Sequence, residues 1–203
     1  MLTAKANTEK QFELAPDGTH IARCVQIVDL GTQKSEYLGE TKELHKVRIT
    51  WELPTEKRVF KEENGEQPFL VSKEFTLSLG EKANLRKVLE SWRGKAFDET
   101  ELQGFDLLKL LGAPCMLQII HKVSKNGNTY AEISSVMKLM KGTECPEQIN
   151  PSTSLSFEAW DEGVFNGLNE WLRDKIKLAP EYKQLREPES KEVTGNGEND
   201  LPF

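Results

Sequence analysis

The sequence has little that would support a disulfide, a metal centre or a membrane anchor. Its three cysteines, Cys24, Cys115 and Cys145, are scattered, odd in number and form no C-x-x-C pair. The three histidines, His20, His45 and His121, are equally dispersed. A structural zinc site and a disulfide framework are therefore not expected, and the thiols read as small apolar residues. No apolar run approaches the roughly 20 residues that a membrane helix needs. Met1 to Lys10 has no apolar signal core, which reads as a cytoplasmic chain. Catalytic signatures are missing too: there is no Walker-type glycine loop, no H-E-x-x-H and no G-x-S-x-G. A metal-dependent nuclease needs several carboxylates converging on one ion, and the predicted strands show no repeated acidic pattern. A lone histidine on a strand reads as structural. The expectation is a protein without enzymatic activity, cofactor or resident metal.

What is present is polar and charged. A hydrophobic fraction of 37% and a mean hydropathy of −0.57 describe a soluble chain, long enough for one well-buried domain with appendages. The formal charge is −6, but it is unevenly spread. Glu187 to Phe203 holds five carboxylates against Lys191, a balance of −4 that leaves −2 on Met1 to Arg186. Between Lys109 and Lys141 the sign reverses, with five lysines against Glu132 alone. An acidic tail on a body with one basic region is compatible with an anionic ligand.

Periodicity organises the body. Pro16-Asp17-Gly18 is a turn that launches a predicted strand, Thr19 to Asp29. Leu30 to Leu44, with Gly31 and Gly39, reads as a loop. His45 to Leu53 alternates: His45, Val47, Ile49, Trp51 and Leu53 on one face, Lys46, Arg48, Thr50 and Glu52 on the other. Pro54 is expected to end this strand. A third runs from Phe69 to Leu79. The period then changes, and Leu85, Val88, Leu89 and Trp92 fall at helical spacing until Gly94. Asp98 opens another short helical stretch, and Leu107 to Leu111 a further turn. Pro114 to Ser124 and Thr129 to Leu139 form a fourth and fifth strand around the Asn126-Gly127-Asn128 turn. Gly142 to Ser156 reads as a linker. Phe157 to Ala179 carries one apolar stripe, predicting a single amphipathic helix. It either packs on the body or makes a dimer or partner contact. Beyond Glu187 the composition is that of a disordered tail.

Three strands, a helical insert and a two-stranded hairpin are the element order of the OB-fold, a five-stranded Greek-key barrel that binds oligonucleotides on its strand two–three face. The expected fold is mainly β with added α. The organisation is an OB-fold domain over 1–141, a linker over 142–156, an amphipathic helix packed on the barrel over 157–186 and an acidic tail over 187–203.

Particular segments carry a resemblance. Pro16-Asp17-Gly18-Thr19 through Asp29-Leu30-Gly31-Thr32, His45 to Pro54, Leu85 to Gly94, Gly112-Ala113-Pro114-Cys115, Asn126 to Ala131 and Trp171 to Tyr182 resemble bacteriophage single-stranded DNA-binding proteins with an OB-fold. The final Glu198-Asn199-Asp200-Leu201-Pro202-Phe203 resembles the C-terminal peptide of bacterial single-stranded DNA-binding proteins, with Asn199 interrupting the acidic run. In that family the peptide recruits replication and repair enzymes. The chemistry suits docking. Leu201 and Phe203 can fill an apolar pocket, Pro202 limits the entropy lost, and Glu198, Asp200 and the terminal carboxylate can pair with basic residues around it. The resemblance implies sequence-independent binding of single-stranded DNA in phage replication or recombination, in the cytoplasm of an infected bacterium. It also implies recruitment of host or phage proteins by the tip, and leaves self-association open.

Such a protein needs cations for phosphates and flat side chains for bases. The candidates are Lys46 and Arg48 on the second strand, Lys73 and Phe75 on the third, and Lys122, Lys125 and Tyr130 around the last hairpin. Lys34 and Tyr37 lie between strands one and two. Phe75 has core packing as its competing reading, whereas Tyr130, beside a glycine turn on a basic hairpin, is the aromatic favoured for stacking. Trp51 is assigned to the core, and Trp92, Trp160 and Trp171 to helix packing. The alternative reading is an interaction protein that organises a replication complex and binds DNA weakly.

Overall fold

In the computed structural model, residues 13–37 and 39–186 are described. Strands β1 (Gly18–Tyr37) and β2 (Glu40–Val59) come first, followed by β3 (Glu66–Thr76). Helices α1 (Asn84–Arg93) and α2 (Glu99–Gln103) and a 3-10 turn (Leu107–Leu110) lead to β4 (Pro114–Val123) and β5 (Thr129–Met137). A short β6 (Thr153–Leu155) precedes α3 (Glu162–Gly167), α4 (Glu170–Lys177) and α5 (Pro180–Arg186). The chain is mainly β, and no described helix is long and apolar enough to cross a membrane.

The strands form one sheet in the order β3-β2-β1-β4-β5, antiparallel throughout, with β6 added parallel to β1 at Gln26 to Val28. Strand β1 serves two neighbours on one edge. Gly18 to Arg23 pairs with β4, and β6 takes over beyond it.

The expected closed barrel is not formed. Among the described residues no ladder joins β3 to β5. A side chain bridges that seam instead, with Lys73 Nζ of β3 donating to the Ile133 carbonyl of β5 at 2.5 Å.

Two further expectations are corrected. The segment Leu30 to Leu44 is not a loop, because β1 and β2 continue as a paired ribbon to Tyr37 and Glu40. The glycines that suggested a loop mark a bulge at Gly31, where the register shifts, and the tip at Gly39. Nor does Pro54 end β2. The strand passes through a register irregularity between Leu53 and Lys57, where proline has no N–H to give the ladder, and pairing resumes at Lys57 with Pro68.

One side of the sheet holds the larger core. Cys24, Ile27, Val47, Ile49, Trp51, Leu53, Leu117 and Ile119 meet Leu85, Leu89 and Trp92 of α1, whose i, i+4, i+7 spacing puts them on one stripe. Trp51, Ile49 and Leu53 are fully buried, each contributing about 1.5–3 kcal/mol relative to exposure. Helix α1 stops at Gly94, whose left-handed backbone (φ 68) lets its N–H reach the Glu90 carbonyl. Helix α2 starts with a capping box between Asp98 and Glu101. Cys24 and Cys115 are buried free thiols. Burial pushes the Cys24 thiol up to about 12 and that of Cys115 well above its ordinary value, so both stay protonated and inert.

A second core lies on the opposite side of β1. There Val28, Leu30 and Leu155 pack with Phe165, Leu168, Leu172 and Ile176. The single helix expected over 157–179 is instead two short ones, α3 and α4, and α5 follows from Pro180. Asp161 caps α3 through the Val164 N–H at 2.9 Å, Gly167 closes α3, Asn169 precedes α4, and Pro180 occupies the first position of α5. The apolar stripe survives because α3 and α4 bury their residues in one cluster.

Residues 142–156 are hydrogen-bonded to the sheet. The Arg23 guanidinium donates to the carbonyls of Gly112, Cys145 and Pro146. Glu52 is completely buried although it sits on the face read as outward. Its carboxylate accepts from the backbone N–H groups of Ile149 and Asn150 at 2.8 and 2.9 Å.

Candidate nucleic-acid interface

The face of β2 and β3 opposite the larger core is set by register. Lys46 lies across from Thr76, Arg48 from Glu74 and Thr50 from Ser72. Side chains on one face repeat every second residue, roughly 6.6 Å apart along a strand, so Lys46, Arg48 and Thr50 form a row. Helix α4 borders this row. Its Trp171 ring lies against the Arg48 guanidinium, 4.7 Å from carbon to centroid, and its Lys175 donates to Glu74 at 2.6 Å. Glu74 therefore sits between Lys175 and Arg48, the latter at 3.7 Å. One carboxylate shared by two cations leaves this patch net positive. Burial lowers the Arg48 pKa and Glu74 partly offsets that; at this site the guanidinium remains charged.

Three concavities surround the row. A cleft of about 640 Å³ is lined by Lys46, Lys73, Thr76, Lys82 and the start of α1. A groove of about 260 Å³ lies between β2–β3 and α4, lined by Arg48, Thr50, Ser72, Asn169 and Trp171. A third, of about 930 Å³, occupies the open β3–β5 seam and includes Arg48, Phe60, Leu70, Tyr130 and Ile133. The last two share Arg48, Leu70, Ser72 and Asn169, so they are continuous.

The proposed site residues divide accordingly. Lys46 and Lys73 meet at the first cleft, although both ammonium groups are engaged, Lys46 with Thr76 Oγ1 at 3.0 Å and Lys73 with the Ile133 carbonyl. Phe75 is corrected from stacking residue to core. It shares the register face of Val71 and Lys73, opposite Val47, and is 3% exposed, so no base can reach its ring face. Arg48 and Tyr130 face the seam groove, Tyr130 being 41% exposed. Lys122 is exposed but paired with Glu132 at 3.0 Å. Hydrogen bonding to that carboxylate raises the lysine pKa, and the same bond holds Glu132 below the ordinary carboxylate range. Lys125 is exposed at the β4–β5 turn, and Lys34 is exposed on the β1–β2 ribbon opposite Glu43. Lys34 lines none of the three concavities. Tyr37 ends β1, and its side chain lies outside the described residues. The tip residues Glu198, Asp200, Leu201, Pro202 and Phe203 also lie outside them.

Sequence reasoning missed Lys82, Phe60, Leu70 and Trp171. Trp171, expected to pack, is 49% exposed. A continuous helix from 157 puts Trp171 on the buried stripe. Leu168, Leu172 and Ile176 keep helical spacing across the break and are the ones buried, and Trp171, roughly 100° from Leu172 around the helix, faces outward.

Among the described residues no group of three or more His, Cys, Asp or Glu side chains converges to hold a metal ion. No protein-family model and no curated protein matches the chain.

Proposed function

We propose that this protein binds single-stranded DNA without reading base sequence, in replication or recombination of the bacteriophage type, and that its C-terminal tip recruits partner proteins. The carrying observation is the row Lys46–Arg48–Thr50 between concavities that hold three lysines at one end and an exposed tyrosine at the other. The strand order β3-β2-β1-β4-β5, with α1 and α2 between β3 and β4, supports an OB-type sheet whose seam is left open. Cations along a groove with aromatic faces beside it are the chemistry of single-strand binding. The acidic tip suits docking into a basic-rimmed apolar pocket.

The test is a titration of labelled oligo(dT) and of duplex at two salt concentrations. Single strands should bind more tightly than duplex, with affinity falling as salt rises by a log–log slope of about −0.7 per phosphate neutralised. Equal affinity for both forms removes the reading. The competing scaffold reading is favoured by the internal pairing of Arg48 with Glu74 and of Lys122 with Glu132. It predicts partner capture that depends on Phe203 while oligo(dT) fails to bind even at low salt.

A further inference from the structure

We propose that Trp171 is a base-stacking platform, so that helix α4 supplies one wall of a nucleobase subsite whose other wall is the β2–β3 face. This rests on the single-strand reading above.

One side of the indole lies against the Arg48 guanidinium, and the side chain is 49% exposed. The groove beside it measures about 260 Å³, and its lining contains no carboxylate. A cation held against an aromatic ring is attracted to the ring face, and Arg48 is further anchored by Glu74. The indole thus rests on a fixed support instead of swinging free, which lowers the entropy lost when a base stacks on it.

The remaining lining is suited to a polar, flat ligand. Thr50 Oγ1 and Ser72 Oγ lie 2.9 Å apart, Gln26 Nε2 donates to Thr153 Oγ1 at 3.0 Å, and Asn169 adds an amide at the rim. Such groups tolerate any base edge without selecting one. Arg48 and Lys175 share one carboxylate, Glu74, and Lys46, held by Thr76 Oγ1, lines the adjoining cleft with Lys73 and Lys82 against Glu74 and Glu81, a cationic excess that favours a polyanion over an acidic or neutral peptide. Continuity with the seam groove gives the strand a path from Trp171 past Leu70 toward Tyr130 and Phe60, all three of which are well exposed.

Tryptophan fluorescence tests this directly on the full chain. Of the four tryptophans, Trp51 and Trp92 are buried at 0% and 4% exposure and Trp160 is half-buried. Adding oligo(dT) should quench the intact protein. Trp171→Phe should lose that quench while keeping most of the affinity. Trp171→Ala should bind labelled oligo(dT) roughly 5- to 150-fold more weakly, with an unchanged salt slope, as lost stacking requires. Thermal melting checks that the variants fold. If Trp171→Ala does not, Trp171→Phe still decides, because a quench that persists without the indole overturns the assignment. Wild-type affinity in a folded Trp171→Ala overturns it as well and leaves the single-strand reading standing. Failure of the intact protein to bind oligo(dT) at low salt removes both.

Discussion

Asn150 grips Glu52 twice: its backbone N–H and its side-chain amide both donate to Oε2, each at 2.9 Å. With the Ile149 N–H on Oε1, a fully buried carboxylate is satisfied entirely by one segment of chain. The register that lets β2 pair with β3 and β1 leaves Glu52 facing residues 149–150, so the strand and the segment are mutually dependent.

Glu52→Ala should leave two part-buried backbone N–H groups without their acceptor, at up to about 1–3 kcal/mol for each that water does not reach. Glu52→Gln should also destabilise, because its amide NH2 faces donors where an oxygen is needed. Urea denaturation gives the loss, and hydrogen exchange at Ile149 and Asn150 locates it. Unchanged protection of those two amides in Glu52→Ala would contradict the role.

Gly31 lies against the C-terminal segment, with Ala179, Glu181 and Phe157 close around it. It has φ +66, and an added Cβ would lie 2.6 Å from Ala179 Cβ and 2.8 Å from Phe157 Cε2. Gly31→Ala should combine about 1–2 kcal/mol of left-handed backbone cost with about 1–3 kcal/mol of overpacking. Gly39→Ala is the control, since φ is +81 there but nothing lies within 4 Å of the new Cβ. Equal losses in the two variants would show that the close approach carries no energy.

The DNA reading separates cations that are held from those that are not. Lys125→Ala should make the log–log salt slope shallower by about 0.7 and leave the melting temperature unchanged. Glu132→Gln should release Lys122 from its ion pair, tightening oligo(dT) binding most at low salt, where screening is weakest. Binding curves of Glu132→Gln that superimpose on those of the intact protein would place Lys122 away from the strand.

Acid should loosen α5. Partial burial acts to raise the Glu181 carboxyl. Its hydrogen bonds from Thr32 Oγ1 at 2.6 Å and Thr32 N at 3.0 Å outweigh that and hold it below its ordinary value of 4.5. A carboxyl depressed in the folded state binds fewer protons than in the unfolded state, so stability rises with pH across the gap. The contribution is complete above about 4.5 and disappears as pH falls through the folded value. Near-ultraviolet circular dichroism of the Trp160–Phe165–Tyr182 cluster should follow the loss. Thr32→Val removes one donor and should move the midpoint upward. Coincident midpoints in the two proteins would assign the transition to another group, such as Glu162, which hydrogen bonds from Trp160 and Arg186 also depress.

Local physics determined much of this protein. The alternation of Val47, Ile49, Trp51 and Leu53 is a period-2 signal that no helix can satisfy, and the spacing of Leu85, Leu89 and Trp92 is one that no strand can. Gly94 and Asp98 mark helix ends because cap chemistry acts within one turn. These signals depend on neighbours in sequence and were legible from it. Tertiary structure decided everything that depends on which surface meets which. Gly31 reads as a loop residue until its bulge is seen to admit Ala179. Glu52 reads as solvent-facing until residues 149–150 arrive with three donors. Phe75 and Tyr130 are both aromatics on strands, and only the register of β3 against β2 buries one, while the β4–β5 turn leaves the other exposed. Trp171 reads as a packing residue until α4 is seen to bury Leu172 and Ile176 and to set the indole on Arg48, more than a hundred positions away in sequence. Composition records that a side chain is charged or flat. Whether it is free to meet a ligand depends on the long-range packing around it, which local periodicity does not encode.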